Sequence, residues 1–136
     1  MAIYNDWYLR SRKDLSHYGL WLRGNELNTL PASEYDARPF RVLWNRLSTY
    51  VDTGYSFTHQ FLYQIAARTP GVFPDLSYLP PPKDAALMTR DGVPWLLGTQ
   101  TKRDALDFDL IAISNSIVQE LVNVTTVLRQ SGIPLS

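Results

Sequence analysis

The sequence contains no cysteine, and that gap excludes disulfides and thiolate metal sites. It also excludes an iron–sulfur cluster ligated by this chain, because such clusters hang on Cys thiolates. A surplus of either charge is missing as well: thirteen Lys and Arg balance thirteen Asp and Glu. Nucleic-acid binders usually carry a basic excess, so no nucleic-acid partner is expected. No apolar run is long enough to span a bilayer, and Met1 to Arg10 lacks the apolar centre of a signal peptide. The cytoplasm is therefore the expected compartment. Gly-rich phosphate fingerprints, a nucleophile elbow and a zinc-binding His pair are all lacking. His17 and His59 are the two histidines, so neither a metal site nor a self-contained enzyme is expected.

What remains can still build a core. Hydrophobic residues make up 45% of the 136 residues against 19% charged, which argues against disorder and for one domain or less. Residues 1–38 read as an arm and linker, with residues 39–136 as the organised α/β part. The arm is dense in rings: Trp7, Tyr8, Tyr18 and Trp21. Such rings bury large areas, so packing onto a core or a partner is the expectation, with a stacking platform for a ligand as the alternative. Asp6 to Leu15 suits a short helix, and Pro31 to Pro39 a turn-rich linker.

From Phe40 onward, strands and helices alternate. Phe40, Val42, Leu43 and Trp44 fit a buried strand. Ser56 can cap a helix reaching Arg68, with Phe57, Phe61, Leu62 and Ile65 on one face. His59 on that helix reads as a surface or half-buried residue rather than a ligand. Val72 to Leu79 reads as a weaker strand, at a sheet edge because of Pro74. A short helix over Lys83 to Thr89 and a brief apolar run over Val93 to Leu97 follow. Asp107 to Ser114 is nearly all apolar, as strands buried on both faces are. Ser116 and Gln119 then have capping-box spacing. Val118, Leu121, Val122, Thr125 and Leu128 form the apolar stripe of a last helix, closed by Gly132 and Pro134. The alternation predicts an open, parallel, three-stranded sheet with flanking helices, Rossmann-like and incomplete flavodoxin-like.

In such sheets ligands sit beyond the carboxyl ends of the strands, where strand order reverses. With the first strand in the middle, two loops meet there: 47–56 and 114–117. Their small polar residues, Ser48, Thr49, Asp52, Gly54, Ser114, Asn115 and Ser116, are the candidate site. They offer hydrogen bonds but no acid, base or nucleophile. The bland alternative is that Ser and Asn merely cap helices.

The stretch DLIAISNSIVQELVNVTTVLRQSGIPL, Asp109 to Leu135, resembles the third strand and helix of the cobalamin-binding domain in one group of radical SAM proteins. Ser114, Asn123 and Gly132-Ile133-Pro134 carry the likeness. DTGYSFTHQFLYQIAARTPGV is similar to that group's first loop and helix, and DGVPWLLGTQTKRDALDFD to its connection into the third strand. Gly24 to Asn28 is similar to a short segment before the first strand. The resemblance runs from about residue 18 to 135. It implies a flavodoxin-like domain holding cobalamin, with Ser114 near the nucleotide tail and the 47–56 loop facing the corrin. The Asp-x-His-x-x-Gly motif of other cobalamin domains is not present, although Asp52 and Gly54 are. The family domain continues with two more strands and a Gly-Gly turn, whereas this sequence stops at Ser136. A third strand left at an edge invites pairing with another chain. The expectation is thus a half-site module of a larger radical SAM assembly. The alternative is a structural or protein-interaction subunit that has lost the cofactor. Either would dock on a protein partner, or on copies of itself, through the third-strand edge and the aromatic arm.

Overall fold

Three strands assemble in the order β2-β1-β3, all parallel. They are β1 (Phe40–Arg46), β2 (Val72–Tyr78) and β3 (Leu110–Ser114). The helices are α1 (Asn5–Ser11), α2 (Glu34–Ala37), α3 (Tyr50–Thr53), α4 (Phe57–Arg68), α5 (Pro82–Arg90) and α6 (Val122–Gln130). This computed structural model describes residues 3–24, 30–53, 57–115 and 118–135. The strand order is that of the first three strands of a flavodoxin-like sheet, as the alternation of elements predicted. The proposed caps at Ser56 and Ser116 and the 25–28 part of the Gly24 segment lie outside the described residues.

Neighbouring strand residues point to opposite faces, and the two faces carry separate cores. On one face Trp44, Leu76 and Tyr78 pack with Tyr63 and Ala67 of α4 and with Trp7, Tyr8, Trp21 and Met88. On the other, Leu43, Leu47 and Phe73 pack with Tyr35, Leu96, Phe108 and Val127. Burial of each such side chain stabilises by about 1.5–3 kcal/mol. The arm's rings are therefore core material. Trp7 Nε1 donates to Asp91 and Trp21 Nε1 to Asp84, whereas Tyr18 is exposed. Within the linker, α2 presents Tyr35 edge-on to Phe73 and Phe108.

Several expectations need correcting. β2 lies at the edge, where Pro74 costs no ladder bond, yet it is the most buried strand rather than a weak one. Its inward polar residues are satisfied locally. Asp75 is fully buried and accepts from the N–H of Leu76, Gln100 and Thr101 and from Thr101 Oγ1. Any Cβ at Gly98 would collide with that carboxylate, so the loop can pass so close only with glycine there. Val93 to Leu97 forms no strand; Leu97 makes a single antiparallel bridge to Asp104. Residues 105–107 form a 3₁₀ turn, so β3 starts later than expected.

β3 is only partly buried. Ile111 and Ile113 pack beneath Val124 and Leu128 of α6. The other face carries Leu110 and Ala112, paired with Val42 and Trp44. There α4 lies over β1 and β2, and Leu110 stays 47% exposed. The apolar stripe expected to bury α4 also points away: Phe57, Phe61 and Ile65 are exposed. The sheet instead receives His59, Tyr63, Ala66 and Ala67, where two alanines permit a close approach. His59 is fully buried, not a surface residue. The last helix behaves alike, with Val118, Leu121 and Val122 exposed and Val127 buried. Gly132, in the left-handed region at φ 69°, ends it as expected.

Candidate functional site

The topological switch point falls between β1 and β3, because the chain leaves β1 toward β2 and returns to the opposite side. A crevice of about 460 Å³ opens at that end of the sheet. Leu47, Ser48 and Thr49, which follow β1, form one wall with Asp52 of α3. Gln119, Glu120 and Asn123 form the other, and Leu79 beyond β2 contributes the floor.

The two walls are already tied together. Ser48 Oγ donates to Glu120 Oε1, and Arg46 Nε reaches the same oxygen at 3.4 Å. Asn123 Nδ2 donates to the Leu47 carbonyl at 3.2 Å. The Arg46–Glu120 pair is largely screened from water, so it holds its geometry better than a surface pair would. Thr49 Oγ1 donates to Asp52 Oδ2 at 2.7 Å and closes the first turn of α3. The crevice is thus lined by hydroxyls, amides and two carboxylates, one of them neutralised by Arg46. That set can hydrogen-bond a neutral polar group. Its two hydroxyls, Ser48 and Thr49, each donate to a carboxylate, and no group of three or more His, Cys, Asp and Glu able to hold a metal occurs among the described residues.

Of the residues singled out from sequence, Ser48, Thr49 and Asp52 line this crevice together. Ser114 ends β3 opposite Arg46, and Asn115 follows it, exposed; neither is part of the lining. Gly54 and Ser116 lie outside the described residues. Sequence reasoning did not find Arg46, Gln119 or Glu120. Arg46 is the last residue of a strand read for its apolar content, and Glu120 sits inside what reads as an apolar helical stripe. Asn123 carried a signal only through the family resemblance.

Electrostatics single out two further groups. Burial, and then the charge of Arg46, lower the His59 imidazole to about pKa 4, so it is neutral near neutral pH. Its ring meets Tyr78 edge-on at 5.4 Å. Lys102 is lowered to about 8 by burial, against the pull of Asp75. Its ammonium donates to the Thr99 carbonyl and lies 4.7 Å from the centre of the Tyr8 ring. Lys102 and Asp75 belong to the structural knot at 98–103, away from the switch point. No family model, curated protein or solved structure matches this chain.

Proposed function

We propose that this chain is a non-catalytic interaction subunit that joins its sheet to another polypeptide along β3. The observation that supports it is the state of that strand. β3 pairs with β1 alone among the described strands, and an open edge with free backbone groups is a template for strand addition. Leu110, at the start of β3 on the face away from α6, is exposed, and so are Val118, Leu121 and Val122 in the segment that follows the strand. Exposed apolar residues flanking an open edge are what a covering partner would bury.

In the pure protein a second copy takes the partner's role. Residues 110–115 carry no charge, so two β3 strands can meet antiparallel about a two-fold axis without placing like charges opposite each other. Sedimentation velocity tests this. The wild type should associate at micromolar concentration, and Leu110→Lys with Leu121→Lys should sediment as a folded monomer. A wild type that stays a well-folded monomer would defeat the proposal.

A second reading, a half-site for cobalamin within a radical SAM assembly, is supported by the place of Ser48, Thr49 and Asp52 at the switch point. Hydroxyls and amides there suit the amide side chains or nucleotide tail of a corrinoid. The crevice has the size of a drug-like ligand site, enough for an edge of that cofactor and too little for all of it. The corrin would need a further surface from a partner. Mixing the protein with hydroxocobalamin, removing free ligand and recording the visible spectrum decides this reading: retained corrin absorbance supports it, and a colourless protein rejects it.

A further inference from the structure

A second cavity, of about 290 Å³, lies between the 3₁₀ segment Ser16–Leu22 and the start of α3. We propose that it binds a neutral, flat, two-ring aromatic molecule bearing an N–H donor, of the size and kind of indole. The walls set the class: Leu20, Trp21, Tyr50, Val51 and Pro81 supply apolar and aromatic surface, and among the described residues no Asp, Glu, Lys or Arg lines it. A small cavity of mostly apolar lining with a few fixed polar groups is the usual form of a small-molecule site. Its volume is roughly twice the ~150 Å³ that accepts one benzene, which points to two fused rings.

The polar groups set the rest. Ser16 Oγ spends its proton on Asp84 Oδ1 at 2.8 Å, and Thr49 Oγ1 spends its own on Asp52 Oδ2. Both hydroxyls keep a lone pair that can accept, even with the Asp52 N–H on Thr49 Oγ1, so a ring N–H finds acceptors here, with His17 completing the polar part of the lining. The wall is also held in place beforehand. Asp84 is fully buried and takes bonds from Ser16 N, Ser16 Oγ and Trp21 Nε1, which fixes two lining residues before any ligand arrives.

The same segment carries backbone strain. His17, Tyr18 and Gly19 are consecutive left-handed residues, at φ 49°, 56° and 68°. That conformation is unfavourable for His and Tyr, and strain of this sort gathers at ligand clamps. His17 of this strained turn lines the cavity, and Val51 on the facing wall is exposed.

Titrating indole into ¹⁵N-labelled protein tests the proposal by NMR. The expected result is saturable shifts at the Trp21 Nε1–H and at amides 16–21 and 49–51, with Kd on the order of 1 mM or tighter. Benzofuran, the same shape without the N–H, should bind about fivefold more weakly. Val51→Trp places a ring in the mouth and should abolish the shifts; Leu20→Trp serves if that variant does not fold. No shifts in the wild type, or equal shifts in the filled variant, would overturn the site. Equal binding of benzofuran would overturn the donor match.

Discussion

Acidification should weaken this fold through one side chain. His59 is fully buried against Tyr78 and near Arg46. In the folded chain its imidazole takes a proton only near pH 4, while in the unfolded chain it does so near the ordinary 6.5. Between those values the unfolded state binds more protons, so stability rises with pH. This contribution is intact above about pH 6.5 and is lost as the pH falls toward 4. The loss comes to about 2 kcal/mol by pH 5 and about 3 kcal/mol by pH 4, on the order of a third of a small domain's stability. Urea unfolding of the wild type and of His59→Phe at pH 7 and pH 5 measures it. Phe keeps a flat aromatic ring, somewhat larger than imidazole, and removes the titration; any packing cost is the same at both pH values and leaves the shift in the gap. The gap in stability between the two proteins should shift by about 2 kcal/mol in favour of the variant as the pH drops. A gap that does not move would show that His59 is solvated or already charged, and the argument from burial would be wrong.

Other substitutions probe the remaining parts. Asp75→Asn should cost about 3 kcal/mol, because the new amide group faces N–H donors that the carboxylate accepted; chemical denaturation reads it. Tyr63→Ala should cost about 3–5 kcal/mol, whereas Phe61→Ala, two residues earlier on the exposed side of α4, should cost under about 1 kcal/mol. If the two prove equal, the helix is rotated relative to this structure.

The sheet was readable because its signals are local. Apolar runs at 40–44 and 108–113, separated by helical periods, demand a parallel order, and Pro74 placed β2 at the edge. The helix faces were not readable for a physical reason. The usual inference turns the most apolar stripe inward, but α4 has a second face of His59, Tyr63, Ala66 and Ala67 that fits more closely on the strands. That leaves Phe57 and Phe61 stacked on each other outside. The site was half readable. The switch-point rule found Ser48, Thr49 and Asp52, since it depends only on strand order. Arg46 and Glu120 escaped because the bond that makes them matter joins residues far apart in the chain. The buried carboxylates Asp75 and Asp84 escaped for the same reason.

The most direct test of the interaction proposal is amide hydrogen exchange in β3, followed as a function of protein concentration. Residues 110–114 direct alternate backbone groups toward β1 and toward the open side. The first set should be protected at every concentration. The second should exchange quickly in dilute solution and become protected as concentration rises. Protection that is the same for both sets, and unchanged across the series, would mean that no second polypeptide pairs with this edge.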